Sequence, residues 1–180
     1  MRGEIREDCC VDDHHAAFDI ELYLLRHAHA GDAGRWQGDD ASRPLSEKGR
    51  RQSEVLGAHL ARIGFVPDAI VSSPKRRALE TAQIVGAAIG VEVTVDQLLG
   101  GGLDLDGVET VMAYTGGRRV VLVGHDPDFS EICAELTGAR LLPMKKGALA
   151  RIDCDMPLRR GAGVLRWLIP PDGLASASTD

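Results

Sequence analysis

Arginine and histidine recur in this chain where apolar runs end. Arg26-His27 closes the run that begins at Ile20, Arg76 and Arg77 come shortly after Ser72-Ser73, and His125 follows the run RVVLVG at Arg119–Gly124. A guanidinium is a planar fork of donors that matches phosphoryl oxygens and carries a fixed positive charge. A histidine among arginines suits phosphoryl transfer with the imidazole as nucleophile. In that chemistry His27 attacks phosphorus through one ring nitrogen, and a hydrogen bond at the other, expected to a backbone carbonyl, fixes the tautomer. Arg26 and Arg77 hold the non-bridging oxygens and stabilise the charge that develops on them, and His125 does the same from the opposite side. Backbone N–H groups at the start of a helix expected from Ser73-Pro74 add to the anion site. The arginines supply the positive charge, so neither a metal nor a cofactor is called for.

Each residue also has a structural alternative. A histidine after a strand is more often a satisfied structural group than a nucleophile, and Lys75-Arg76-Arg77 has the composition of a solvated helix face. Their joint occurrence at matching strand ends is what argues for function. Ser73 can contact phosphate or simply cap its helix, and Arg43, before Pro44-Leu45, can reach the pocket or face water. His29 and Asp32 are expected on the rim, Asp126 as a helix cap, and His59 within a helix as a structural or exposed residue.

The elements that must position these groups alternate between strand and helix patterns. Ile20–Leu25, Ala69–Ser72, Val91–Val95 and Arg119–Gly124 are short apolar runs suited to buried strands. A helix is expected from Ser46 as N-cap to about Ile63, with Leu56, Leu60 and Ile63 on one face. A second starts at Ser73-Pro74, a cap residue followed by proline, and turns Ala78, Ala82, Val85 and Ile89 inward. A third covers Asp106–Tyr114, and Asp126-Pro127 repeats the cap-plus-proline start for a fourth through Leu136. Leu149–Cys154 and Val164–Ile169 have no helix between them and are expected at the sheet edge or antiparallel. The order implies an α/β fold, a three-layer sandwich with a mostly parallel central sheet and helices on both faces. In such sheets ligands sit beyond the carboxyl ends of the strands, where the arginines and histidines lie.

Composition sets outer bounds. One domain is expected over residues 18–172, between a disordered acidic extension at 1–17 and a flexible tail at 173–180. His14 and His15 in the extension have no third ligand at a metal-binding spacing. The formal net charge of −6 over 180 residues argues against non-specific nucleic-acid binding, which needs a basic face. No apolar run approaches the ~20 residues of a membrane span, and the N-terminus has no signal-peptide core. The four cysteines, Cys9, Cys10, Cys133 and Cys154, form neither a zinc spacing nor a disulfide framework and read as reduced thiols in a cytoplasmic protein.

Four segments, in this order, resemble the histidine phosphatase superfamily, the phosphoglycerate mutase-like group, over about residues 20–170. LYLLRHAHA is similar to its opening strand and Arg-His-Gly signature, with Ala28 in place of glycine. SRPLSEKGRRQSEVLGAHL resembles the Arg-Pro-Leu-(Ser/Thr)-x-x-Gly stretch that follows. VSSPKRRALETA resembles the Arg-Ala-x-x-Thr-Ala segment, which makes Arg77 rather than Arg76 the second phosphate-binding arginine. VVLVGHDPDFSEI resembles the segment that supplies the second histidine, here His125. Within the superfamily the short chain, without room for a large cap, resembles the small SixA-type phosphohistidine phosphatases. The resemblance implies catalytic roles for His27, Arg26, Arg77 and His125. Mutase-like members carry a glutamate as general acid after the third strand; here the region reads DQLLGGGLDLDG, with Gln97 and only Asp104 or Asp106 as stand-ins. An alkoxide leaving group needs that proton, whereas phosphohistidine departs as imidazole, whose second nitrogen protonates near pH ~6.5. The expectation is therefore a phosphatase working through a phosphohistidine intermediate on a phosphorylated protein, with inorganic phosphate or sulfate able to occupy the site. The alternatives are a broad phosphomonoesterase of small phosphorylated molecules and a non-catalytic phosphate-binding module.

Overall fold

The computed structural model describes residues 18–174. The expected N-terminal extension, with Cys9, Cys10, His14 and His15, and positions 175–180 lie outside the described residues. Within them the chain runs β1 (Ile20–Arg26), α1 (Glu47–Arg62), β2 (Ala69–Ser72), α2 (Arg76–Ile89), β3 (Val93–Val95), α3 (Leu105–Thr115), β4 (Arg119–Gly124), α4 (Asp128–Thr137), β5 (Leu149–Cys154) and β6 (Val164–Ile169). The six strands form one sheet in the order β3-β2-β4-β1-β5-β6. β3, β2, β4 and β1 are parallel, and β5 and β6 join antiparallel at the β1 edge, as the missing helix between them implied.

Successive residues of a strand face opposite sides of the sheet, and here both sides are covered. Leu22, Leu24, Val71, Val120 and Leu122 pack against Val108, Val111, Phe129, Ile132 and Leu136 of α3 and α4. Their neighbours Tyr23, Leu25, Ile70, Val121 and Val123 pack against Leu56, Leu60, Ala78, Ala82 and Val85 of α1 and α2. Two helices on each face of a mixed, mainly parallel sheet make the three-layer α/β sandwich, without a large cap among the described residues.

Several boundaries differ from the sequence expectation for local reasons. Leu56 and Leu60 are buried, whereas Ile63, grouped with them by spacing, is the C-cap of α1 and 56% exposed. β3 begins at Val93, because the Val91 N–H is still engaged by Gly86 O at the end of α2. α2 starts at Arg76, since Ser73 N–H donates to Val123 O and so prolongs the sheet beyond β2. α3 starts at Leu105 under an Asp104 cap. α4 starts at Asp128, and its N-cap position is Pro127, not Asp126. A short 3-10 turn, Pro171–Leu174, runs two residues past the expected domain end, and Leu174 packs on the α1–α2 side.

Candidate active site

β1 and β4 are neighbours with Arg26 paired to Gly124, so the residues that follow, His27 and His125, leave the sheet side by side. Their ring centroids are 5.2 Å apart, and both are buried. The strand geometry continues one residue beyond each end: His27 N–H donates to Gly124 O at 2.9 Å, and Ser73 N–H to Val123 O at 2.9 Å. Three strand ends thus converge on one point, and no motion is needed to assemble them.

His27 Nδ1 lies 2.8 Å from Ala28 O, the backbone carbonyl the sequence reading asked for. A carbonyl only accepts, so Nδ1 carries the proton and Nε2 keeps its lone pair. Arg77 Nε–H donates to that Nε2 at 3.3 Å. Burial, followed by the neighbouring His125, Arg77 and Arg26, pushes the His27 pKa down to about 3, which leaves the ring neutral near pH 7. His125 Nε2 pairs with Ser73 Oγ at 2.8 Å, and burial together with Arg77, Lys75 and Arg26 likewise lowers its pKa to about 3.

Arg77 comes from the first turn of α2. Thr81, one turn on, bonds to Arg77 O through its hydroxyl at 2.7 Å and accepts from Ala28 N–H at 3.1 Å, tying α2 to the β1 exit. Arg76, by contrast, points outward to Glu80 at 2.8 Å. Arg43 is buried rather than facing water: NH1 donates to Ala30 O at 2.7 Å, and Nε meets Asp40 Oδ1 at 2.9 Å. Asp40 also receives Arg77, through Oδ2 at 3.0 Å and its backbone carbonyl at 2.7 Å. One carboxylate therefore couples the two guanidinium groups.

Arg26 is aimed from the other side. NH1 bonds Met144 O and lies 3.3 Å from Asp126 Oδ2. Ser130 Oγ donates to Asp126 Oδ1 at 2.7 Å and accepts from Met144 N–H at 3.0 Å, which closes the ring. Gly147, at φ +84°, donates its N–H to both Arg26 O and His27 O and clamps this loop to the end of β1. The half-buried Lys146 beside it has its pKa lowered by burial and by Arg26, Arg43 and Arg77.

Buried donors are nearly always paired. Among the described residues two buried side-chain nitrogens have no partner, Arg26 Nε and His125 Nδ1, and both belong to this cluster. A tetrahedral oxyanion beside Nε2 of His27 would satisfy donors of this kind. Such a cluster can bind a phosphoryl group and offers a neutral imidazole to attack it.

Arg26, His27, Arg43, Ser73, Arg77 and His125, taken from the sequence, all come together here. Asp126 is corrected from helix cap to partner of Arg26, and Ser73 from helix cap to partner of His125, its Oγ also accepting from Lys75 N–H at 3.2 Å. Asp104 caps α3, and with Asp106 lines a separate hollow beside Glu135 and Arg160. Asp96 caps a 3-10 turn at Gln97–Gly100 and accepts from Tyr114 Oη. His29 is held by Ser46 Oγ at 2.7 Å, Asp32 caps an exposed 3-10 turn, and His59 pairs with Arg62. The sequence reading missed Asp40 and Lys146. Only the proximity of Asp40 to Arg43, three residues on, hinted at the first.

No group of three or more histidine, cysteine, aspartate or glutamate residues among the described residues could hold a metal ion. No helix among them is long and apolar enough to cross a membrane. Cys133 and Cys154 are free and buried.

Known proteins resemble this chain in sequence and in fold. The uncharacterised protein SYNPCC7002_A2622 of Picosynechococcus is 35% identical over 84% of this chain and 100% of its own. The phosphohistidine phosphatase SixA of Escherichia coli is 26% identical, covering 88% of this chain and 98% of its own. A structure assigned as SixA of Agrobacterium tumefaciens superposes with a TM-score of 0.71 at 25% identity, over 86% of this chain and all of that one. The protein histidine phosphatase SixA complexed with tungstate superposes with a TM-score of 0.72 at 24% identity, over 86% and 99%. The model of the histidine phosphatase superfamily (branch 1) matches residues 22–100, from the strand that carries Arg26-His27 through α2 with Arg77. Motif order, fold and these matches agree, and the chain belongs to the histidine phosphatase superfamily.

Proposed function

We propose that this protein is a phosphohistidine phosphatase in which His27 is the nucleophile. One observation carries the reading: a neutral His27, its Nδ1 proton held by Ala28 O, directs the Nε2 lone pair at the Arg77 guanidinium. Nε2 attacks phosphorus, the bond to the leaving group breaks, and the phosphoryl passes to His27. Arg26, Arg77 and His125 hold its three non-bridging oxygens, with Ser73 steadying His125 and Asp40 joining Arg77 to Arg43. Water then attacks the phospho-His27, which releases orthophosphate and restores the imidazole.

The leaving group points to phosphohistidine. Asp104 is spent on capping α3, and Asp40 is held ionised by the Arg43 hydrogen bond and by Arg77, so Asp40 is no proton donor near pH 7. An imidazole protonated on its distal nitrogen departs without one. The similarity to SixA over nearly the whole chain supports the same substrate class.

The test is phosphate release from a phosphohistidine-bearing protein and from p-nitrophenyl phosphate, by the wild type and His27→Ala. Release from the first, weak on the second and lost in the variant, is the expected result. Strong turnover of the small ester makes the protein a general phosphomonoesterase. Phosphate binding without turnover of either makes it a binding module.

A further inference from the structure

Asp40 stands between the two best-buried arginines of the site, yet its own carboxylate is half open to solvent. The side chains of Arg43 and Arg77 are 9% and 7% exposed, and that of Asp40 is 53%. It lies at the start of a short 3-10 turn, Asp40–Ser42, in the connection from β1 to α1. Two guanidinium groups buried side by side repel, and a bridging carboxylate offsets that repulsion. This explains why Asp40 is near the arginines. It does not explain why the bridging carboxylate comes from the solvent side.

That position matters once a substrate is bound. His27, His125 and Ser73 are buried, whereas Asp40 is open to solvent, so whatever a phosphoryl group bound at His27 is attached to extends outward, toward Asp40. The phosphoryl dianion compensates the arginines, which leaves Asp40 as a negative charge on that side. A carboxylate there attracts a leaving group that is protonated and cationic. It repels one that carries or develops negative charge, such as a phenolate, a carboxylated alcohol or a second phosphate.

We infer that Asp40 is a specificity-determining residue, whose carboxylate selects N-phosphoryl substrates with a protonated nitrogen leaving group over phosphate esters with anionic ones. The inference deepens the phosphohistidine reading and rests on it for the natural substrate. Asp40 takes no proton. His27 Nε2 forms the bond to phosphorus, the P–N bond breaks, and the imidazole leaves with the proton already on its distal nitrogen, while the carboxylate stabilises that protonated ring.

The experiment compares kcat/KM for phosphoramidate, a phosphohistidine-bearing protein and p-nitrophenyl phosphate in the wild type, Asp40→Asn and Asp40→Glu. Asparagine keeps an acceptor for the arginines and removes the charge. In Asp40→Asn the preference for either N-phosphoryl donor over the ester is expected to fall at least tenfold, and Asp40→Glu is expected to restore most of it. Inhibition by orthophosphate and the thermal midpoint report whether the arginine pair and the fold survive. An equal loss on all three substrates, or an unchanged preference, overturns the inference and makes Asp40 a positioning residue only. Because phosphoramidate needs no protein partner, the preference is read even where the phosphohistidine protein is not turned over, and that second result bears on the proposed function alone.

Discussion

Arg26 is aimed by a closed ring of hydrogen bonds through Asp126, Ser130 and Met144, which joins the end of β1 to α4 and to the loop before β5. Asp126→Asn keeps an acceptor for Ser130 and removes the ion pair, so about a tenfold loss in kcat/KM is expected, roughly 1.4 kcal/mol of transition-state stabilisation. In an Arg26→Ala background the same change should cost little. A full additional loss there would show that Asp126 acts independently of Arg26. His125 yields a second expectation. Its pKa is lowered by burial and then by Arg77, Lys75 and Arg26, and a bound phosphate dianion counters those positive charges. Orthophosphate, mostly the monoanion near pH 6, sheds a proton when it binds as the dianion while His125 takes one up, so the net proton release, read from the dependence of the calorimetric enthalpy on buffer ionisation heat, should be larger in His125→Gln than in the wild type. Residue types and spacing were enough to find the two histidines and Arg26. Asp40 and Lys146 escaped because each lies in an irregular connection, where nothing in a periodic pattern says which way a side chain turns.

At the level of elements, the motif SRPLSEKG acts through close approach. Ser46 caps α1 by accepting from Gly49 N–H, and its own N–H donates to His29 O. The first turn of α1 is thereby pressed onto the chain just after His27. A Cβ on Gly49 would come within 2.0 Å of His29 O, which is backbone and cannot swing away. Gly→Ala in an open helix normally stabilises by about 1 kcal/mol. Gly49→Ala should do the reverse and cost about 1–3 kcal/mol, as overpacking does, measured as a lower urea midpoint. A raised midpoint would show that the contact is soft. Strands and helix faces were legible in the sequence because burial on both sides of the sheet writes continuous apolar runs on the strands and an inward stripe on the helices. Helix starts were less so. Ser73-Pro74 and Asp126-Pro127 have the composition of caps, but tertiary partners claim the polar side chains, and each helix begins two or three residues later. The rim of the candidate site is where local propensity gives way to tertiary contacts.

Two buried, neutral histidines also shape how the whole molecule responds to acid. His27 and His125 have pKa values of about 3 in the folded protein against 6.5 for an exposed imidazole, and His29 is lowered as well by burial, Lys146, Lys48 and Arg43. Between those two values the unfolded chain binds more protons than the folded one, so stability rises with pH across that window. The histidine contribution is complete above about pH 6.5 and is lost progressively as pH falls toward 3. The carboxylates held down by arginines, Asp40 and Asp153, act in the same direction but begin near their ordinary 3.8, so the interval from pH 6.5 to 4 isolates the histidines. Each pKa unit is worth about 1.4 kcal/mol, and the unfolding free energy should drop by several kcal/mol across that interval. A His27→Asn, His125→Asn variant should show a much flatter profile. Urea titrations at half-unit steps of pH decide this: an equal slope in wild type and variant would place the acid sensitivity elsewhere, and a flat wild-type profile would mean that the two imidazoles are not held neutral by the fold.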